Sequence, residues 1–89
     1  TRREREEAVA REKHLDSLVG REARLWAEID ALVATTQAAG YDQALRNLVD
    51  LRDLDARRRG GDFRLRIASL RQVHARKPAF IRRLDKAGL

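Results

Sequence analysis

The side chains best suited to chemistry in this 89-residue chain are two histidines and two serines. His14 and His74 are the only imidazoles, and neither has a second histidine four residues away, the spacing at which one helix face binds zinc. For Ser17 and Ser69 we predict no nucleophile–base pair with a histidine. There is no cysteine to supply a thiolate. We therefore expect no catalytic residue, metal site or cofactor in this chain, and we predict that it is not an enzyme.

Three aspartates near the middle of the chain are the remaining candidate for a site. On a helix Asp50 and Asp53 share a face, whereas Asp55 is turned well away from them, so the three carboxylates do not converge. Arg46 and Arg57 stand four residues from Asp50 and Asp53, which favours ion pairs along the helix surface. We predict a solvated charged face here rather than an acidic site.

Positive charge is concentrated in the last third of the chain. The net charge is +6, but residues 57–89 hold 11 of the 20 Lys and Arg residues and 2 of the 14 Asp and Glu residues. We expect these cations to meet an acidic protein partner or to pair with the acidic first two helices; nucleic acid is the alternative, and no membrane contact is expected. The candidate nucleic-acid-binding residues are Arg57, Arg58, Arg59, Arg64, Arg71, Arg76, Lys77, Arg82, Arg83 and Lys86.

The composition predicts an all-α fold. Ala, Leu, Arg and Glu dominate the sequence, and all four are strong helix formers. A chain of this length has room for one modest core and no deep enclosed pocket. We predict a charged helical extension over residues 1–14 and a single helical domain over residues 15–89, forming a small bundle with a long N-terminal helix.

An apolar stripe marks this first helix. Leu18, Leu25 and Leu32 fall seven residues apart, and so do Val19, Trp26 and Val33. The stripe continues in phase across Gly20, so we predict one helix over residues 4–37. The alternative is a helix end at Gly20, where glycine can form a C-terminal cap. The seven-residue repeat also permits a coiled coil, so a homodimer through this helix is a further hypothesis.

The end of this stripe and a second stripe that follows it predict an antiparallel helical hairpin that turns at Gly40. The second helix of the hairpin covers residues 41–58. The first stripe consists of Trp26, Ile29 and Val33, and the second of Tyr41, Ala44, Leu48 and Leu51.

Two shorter basic helices follow the hairpin. The third helix is predicted over residues 63–76, with Asp62 as its N-cap. Leu65 and Val73 lie at the margins of its apolar stripe, which we expect to be buried. The stripe consists of Phe63, Ile67, Leu70 and His74.

The only proline then opens a fourth helix over residues 79–86, because proline suits the first position of a helix. That helix buries either Phe80 or Ile81 against the hairpin.

The hairpin resembles a single tetratricopeptide repeat. Its first helix has that family's spacing at Trp26, Ile29 and Val33, and its second helix places the small residue Ala44 where two helices approach closely. The interval from Val33 to Ala44 is two residues longer than the family spacing. Only one repeat is recognisable, whereas a stable array needs about three.

A second resemblance covers residues 15–89. The segments that carry it are Leu25-Trp26-Ala27-Glu28-Ile29, Gly40-Tyr41-Asp42-Gln43-Ala44, Leu48-Val49-Asp50-Leu51-Arg52-Asp53-Leu54 and residues 74–89. Together they resemble the C-terminal helical region of actinobacterial SWIM zinc-finger proteins. The zinc motif of that family uses three Cys and one His, and this chain has no Cys, so the resemblance implies that any metal lies upstream.

These observations predict a non-catalytic helical protein-interaction module that forms the C-terminal part of a larger bacterial SWIM-type protein. The alternatives are a basic nucleic-acid-binding accessory module and a structural dimerisation element. Because the chain begins with Thr1 rather than Met, we expect a fragment. The lack of cysteine, of a signal peptide and of a long apolar stretch favours a cytoplasmic location.

Overall fold

Five α-helices and no strand form the structure, a computed structural model that describes every residue from Thr1 to Leu89. The all-α prediction is confirmed. The molecule measures 43 × 26 × 21 Å. None of its helices combines the length and the apolar composition that crossing a membrane requires. The helices are α1 (Arg2–Leu18), α2 (Glu22–Ala34), α3 (Ala38–Arg58), α4 (Asp62–Val73) and α5 (Pro78–Lys86).

The segment predicted as one long helix is divided into α1 and α2 at Gly20. This residue has a φ of +86°, in the left-handed region that side-chain-bearing residues rarely adopt. No neighbouring atom lies within 4 Å of the position that a Cβ would take, so conformation rather than crowding requires the glycine. The continuous helix is therefore wrong, and the alternative helix end at Gly20 is confirmed. The stripe did not reveal this, because residues on both sides of the break keep their seven-residue spacing.

The antiparallel hairpin of α2 and α3 is the centre of the fold, as predicted. The end of α2 meets the start of α3, since the backbone of Leu32 lies against Gly40. The start of α2 meets the end of α3, where Glu22 pairs with Arg58. The apolar faces of both helices supply most of the buried core, including Ile29, Val33, Ala44 and Leu48.

Gly40 does not form the turn of this hairpin, contrary to the prediction. The turn consists of residues 35–37, and α3 already contains Gly40. A Cβ at Gly40 would lie 2.6 Å from the carbonyl oxygen of Leu32 and still closer to Oγ1 of Thr35. The glycine is needed because the two helices approach each other here, which fits a residue without a side chain.

The helix α5 closes the core through Phe80. This side chain is fully buried, and its ring centroid lies 5.5 Å from that of Tyr41 and 5.9 Å from that of His74. Ile81 is only half-buried, whereas Leu84 is fully buried. Of the two residues that the sequence offered for burial, the structure therefore selects Phe80.

The boundaries of the two C-terminal helices differ slightly from the prediction. The helix α4 is Asp62–Val73, and residues 74–76 form turns instead of extending it. Gly61, with a φ of +82°, occupies the N-cap position that was predicted for Asp62. Pro78 is the first residue of α5, which confirms the prediction that proline opens this helix.

Charged side chains hold α1 against α3. Arg11 reaches Asp50 with its Nη1 at 2.5 Å from Oδ1, and reaches Asp53 with its Nη2 at 2.8 Å from Oδ2. The second oxygen of Asp50 lies 2.9 Å from Nε2 of His14. The ion pairs predicted within α3 are therefore wrong, because both carboxylates face α1.

Thr1 and residues 2–10 of α1 are all exposed, and the helix has one buried residue, Leu15. Thr1 and Glu4 form a capping box that opens the helix. Within the predicted extension of residues 1–14, polar contact with α3 is therefore concentrated near its end, at Arg11, Glu12 and His14.

The ion pairs of Arg11 predict how stability depends on pH. Partial burial acts to raise the pKa of Asp53, but hydrogen bonds from Arg11 and Arg52 and their positive charges outweigh it, so the pKa lies below its ordinary value. Such a group stabilises the fold above its unfolded pKa, and the stabilisation is lost as the pH falls through the folded value. We expect the free energy of unfolding to decrease below about pH 4, and to decrease less steeply in Arg11→Met.

Urea unfolding followed by circular dichroism across this pH range measures the effect. Arg11→Met should also cost about 1 kcal/mol at neutral pH, since the pairs are partly exposed. Arg3→Met, which removes the exposed pair with Glu7, is the matched control and should change neither quantity. Equal pH slopes in Arg11→Met and the unaltered protein would contradict the prediction.

Candidate protein-interaction surface

The two histidines form polar contacts with different partners. The ring of His14 faces Asp50, while Oγ of Ser17 donates to the backbone carbonyl of His14 at 2.5 Å. His74 is buried, and its Nδ1 lies 3.1 Å from Nζ of Lys77. An ammonium group can only donate, so Nδ1 accepts, and the other ring nitrogen, Nε2, lies 3.4 Å from Oδ1 of Asp30. The structure brings together no group of three or more His, Asp or Glu side chains that could hold a metal ion.

Two of the predicted phosphate-binding arginines are engaged with the acidic N-terminal helices. Arg57 binds Glu12 and Asp16, with its Nη2 at 2.9 Å from Oε2 and 2.6 Å from Oδ1 respectively. These hydrogen bonds, that to Asp16 foremost, raise the pKa of Arg57. Arg58 pairs with Glu22. The expectation that some of these arginines pair within the molecule is confirmed.

Two further arginines, Arg71 of α4 and Arg83 of α5, form ion pairs with other helices. Arg71 places its Nη2 at 2.6 Å from Oδ1 of Asp85 and also donates to the carbonyl oxygen of the last residue. Arg83 donates from Nε to Oδ1 of Asp42 at 2.9 Å, and its guanidinium carbon lies 5.4 Å from the centroid of the Tyr41 ring. These arginines fasten helices together, so they are poorly placed to bind a separate anion.

None of the other candidate cations has a carboxylate oxygen within 4 Å. One of them, Lys77, contacts the ring of His74 through its ammonium group, and the rest have no such contact. They are distributed over the α3–α4 connection, α4, the α4–α5 connection and α5, so they form no single stripe along one helix. They are Arg59, Arg64, Arg76, Arg82 and Lys86.

An exposed apolar face lies on α4. Leu65 and Val73 are each 72% exposed, on the side of the helix turned away from the buried residues Ile67 and Leu70. The sequence placed both residues at the margins of the buried stripe, whereas the structure leaves them in water. We call this surface the outer α4 face; it consists of Leu65, Ala68, Ser69, Gln72 and Val73.

An open cleft adjoins this face at its N-terminal end. It lies between the start of α2, the end of α3 and the start of α4, and has a volume of about 360 Å³. We call it the Trp26 cleft. Phe63, which the sequence predicted to be core, is half-buried here, with its ring centroid 5.9 Å from that of Trp26. The apolar residues lining the cleft are Trp26, Leu51, Leu54, Phe63 and Leu65.

Two of the three carboxylates that line the cleft, those of Glu22 and Asp55, have partners inside the molecule. Glu22 accepts the backbone N–H of Gly20 and pairs with Arg58. The pKa of Glu22 lies below its ordinary value, mainly because the carboxylate accepts a hydrogen bond from the backbone N–H of its own residue. Burial acts in the opposite direction, while the backbone N–H of Gly20 and the side chain of Arg58 lower the pKa further. Asp55 accepts the backbone N–H of Gly61 at 3.1 Å.

Arg66 covers the aromatic wall of the cleft. Its guanidinium carbon lies 4.7 Å from the centroid of the Trp26 ring, a cation–π arrangement. It has no carboxylate oxygen within 4 Å, and the sequence did not single it out among the candidate cations. The sequence does contain a signal for this contact, because an arginine beside the buried stripe of α4 is well placed to lie over an apolar neighbour.

Comparison of the chain with protein-family models, curated proteins and solved structures finds no match. The class of protein is therefore defined by the fold and the surface alone: a small all-α bundle with an exposed apolar helix face beside an aromatic cleft. The resemblances to SWIM zinc-finger proteins and to tetratricopeptide repeats stay predictions from the sequence.

Proposed function

We propose that this chain is a non-catalytic helical protein-interaction module that binds an acidic segment of a partner protein. The observation that carries the proposal is the outer α4 face, where Leu65 and Val73 are each 72% exposed. Large aliphatic side chains in water favour association, because contact with a partner removes their apolar surface from solvent.

The positive charges around the outer α4 face favour a partner that carries negative charge. Arg64 and Arg66 lie on α4 itself, on either side of the outer α4 face, and Arg76 follows the helix; none of the three has a carboxylate within 4 Å. Complementary charges steer association and disfavour partners of the same sign. A helical segment with leucines on one face and glutamates beside them fits both features.

We also propose that the chain is the C-terminal part of a larger cytoplasmic SWIM-type zinc-finger protein, in which zinc is bound upstream. The support is the resemblance over residues 15–89. The sequence encoded upstream of this chain tests the idea, because a C-x-C pair followed by a C-x-H pair is the motif that the resemblance implies.

Nucleic-acid contact is the second candidate function, favoured by the cations without a carboxylate partner on α4 and α5. Dimerisation is the third. Most of the apolar stripe that suggested a coiled coil is not available to a second copy, because Leu25, Trp26 and Val33 are buried in the core of the domain. Val9, 54% exposed on α1, is the apolar residue that this helix still offers to a second copy.

A nuclear magnetic resonance titration tests the proposed function. We expect a short glutamate-rich helical peptide with leucines on one face to shift the amide signals of the outer α4 face. Replacing Leu65 and Val73 together by serine should weaken binding by about tenfold, because both apolar contacts are lost. Val9→Ser, on α1, is the control and should leave the affinity unchanged.

Two results would contradict this proposal. One is the absence of any peptide-induced shift even at low salt. The other is preferential binding of a single-stranded oligonucleotide with a steep salt dependence, which is the behaviour expected of phosphate contacts. That second result would support the nucleic-acid function instead.

A further inference from the structure

We propose that two copies of this chain exchange α1, so that α1 of each copy lies on α3 of the other. The partner is therefore a second copy of the chain, and the interaction surface is the side of α3 that α1 covers within the single chain. The inference goes beyond the proposed function, because the outer α4 face takes no part in it.

The surface of α3 that holds α1 is complementary to α1 in charge. Arg11 of α1 binds Asp50 and Asp53 of α3, with nitrogen–oxygen distances of 2.5 and 2.8 Å. About one turn further along α3 the signs are reversed, because Arg57 of α3 binds Asp16 of α1 at 2.6 Å. A second copy carries the same side chains on its α1, so that helix meets the same partners on this surface.

The helix α1 can leave the fold more easily than the C-terminal helices can. Its one buried side chain is that of Leu15, and Leu18 is partly buried against the core. Its ion pairs with α3 are partly exposed, and each pair of that kind contributes little to stability. The helices α4 and α5, in contrast, place four side chains in the core; they are Ile67, Leu70, Phe80 and Leu84.

The connection between α1 and α2 is a hinge that can open. The helix α1 runs in the same direction as α3, and α2 runs in the opposite direction, so the chain reverses within residues 19–21. This reversal depends on Gly20, whose φ is +86°. The apolar residues on the two sides of Gly20 keep a seven-residue spacing, so the opened connection suits a helix. Opening moves α1 away from its own α3 and makes it available to a second copy.

Exchange replaces each contact of α1 within the chain by the identical contact between two chains, which makes it a low-cost route to a dimer. The single chain forms those contacts without the loss of freedom that association entails. The closed monomer is therefore favoured at low protein concentration, and the exchanged dimer becomes populated as the concentration rises.

Gly20→Ala tests the hinge. Alanine disfavours a φ of +86° and is favoured over glycine within a helix, so the substitution weakens the bend and stabilises the opened connection. Because the dimer contains two hinges, we expect the dimerisation constant to rise at least about a hundredfold. Sedimentation equilibrium over a range of protein concentrations measures this constant.

Gly61→Ala is the matched control. Gly61 has a φ of +82°, and like Gly20 it has no neighbouring atom within 4 Å of the position that a Cβ would take. It lies at the start of α4, where opening the chain would remove α4 and α5 from the core. Gly61→Ala should therefore lower the Tm, but change the dimerisation constant by less than about threefold.

Charge reversal distinguishes an exchanged dimer from any other dimer. One chain carries Arg11→Glu and the second carries Asp50→Lys with Asp53→Lys, so within either chain α1 and α3 repel each other at this contact. When these two chains exchange α1, both contacts become attractive, because the introduced carboxylate meets the introduced ammonium groups and the original arginine meets the original aspartates. We expect native mass spectrometry to detect a 1:1 heterodimer in the mixture at concentrations where each variant alone stays monomeric.

A heterodimer together with the hundredfold rise for Gly20→Ala supports the exchange. The inference is overturned if the mixed charge-reversed chains stay monomeric at every concentration, or if Gly20→Ala dimerises no more than Gly61→Ala. The comparison of the two glycine variants decides alone if circular dichroism shows that a charge-reversed chain does not fold. Either failure leaves the proposed function standing, because none of these substitutions lies on the outer α4 face.

Discussion

Phe80→Ala should remove most of the stability of this protein and leave it only marginally folded at room temperature. Phe80 is fully buried in α5, with the rings of Tyr41 and His74 beside it, so truncation removes both its own burial and the contacts of its neighbours. Such substitutions cost about 3–5 kcal/mol. Whole domains are stable by only about 5–15 kcal/mol, and one of 89 residues lies near the lower limit.

Urea unfolding followed by far-ultraviolet circular dichroism measures this loss. Ile81→Ala is the matched control, because it truncates the next residue of the same helix, which is only half-buried, and should cost less than about 2 kcal/mol. Phe80→Leu keeps most of the volume and should lie between the two. Equal costs for the two alanine variants would contradict the packing of α5 described above.

Gly40→Ala should destabilise the protein, although helix propensity alone predicts the opposite. Gly40 lies within α3, where alanine is normally favoured over glycine by about 1 kcal/mol. Its new Cβ would lie 2.6 Å from the carbonyl oxygen of Leu32 and still closer to Oγ1 of Thr35, so α2 and α3 must move apart. We expect a net loss of about 1–3 kcal/mol, the usual cost of overpacking.

Thermal unfolding reports this difference, since about 1 kcal/mol shifts the Tm of a domain of this size by about 4–8 °C. Removing the Thr35 hydroxyl with Thr35→Ala in the Gly40→Ala background should restore only part of the loss, because the backbone of Leu32 remains. A Tm above that of the unaltered protein for Gly40→Ala would show that the helices do not approach as closely as described.

Much of the fold followed from sequence patterns that act within one helix. Apolar residues at three- and four-residue spacing predicted the hairpin, and the proline predicted the start of α5. The errors concern two glycines. Gly20 was read as a residue inside a helix and Gly40 as a turn, whereas the structure assigns them the opposite roles. A glycine that needs a positive φ and one that needs close packing look the same in a sequence.

The candidate surface was less predictable, because it depends on which segments meet in space. The Trp26 cleft is formed by residues 22–26, 51–58 and 62–66, three helix ends that are separated along the chain. No spacing rule within one helix indicates such a meeting. The same holds for Arg11, whose partners Asp50 and Asp53 lie on another helix. The sequence did predict that some of the basic residues would form ion pairs within the molecule.

The attachment of α1 divides the molecule into parts with different physical properties. The hairpin is stabilised by a continuous apolar core, whereas α1 contributes one buried residue and is fastened to α3 by partly exposed ion pairs. Ion pairs of this kind are screened by salt, but apolar burial is not. We therefore expect higher ionic strength to loosen α1 before the core, so that amide hydrogens in α1 exchange with solvent sooner than those of α2 and α3.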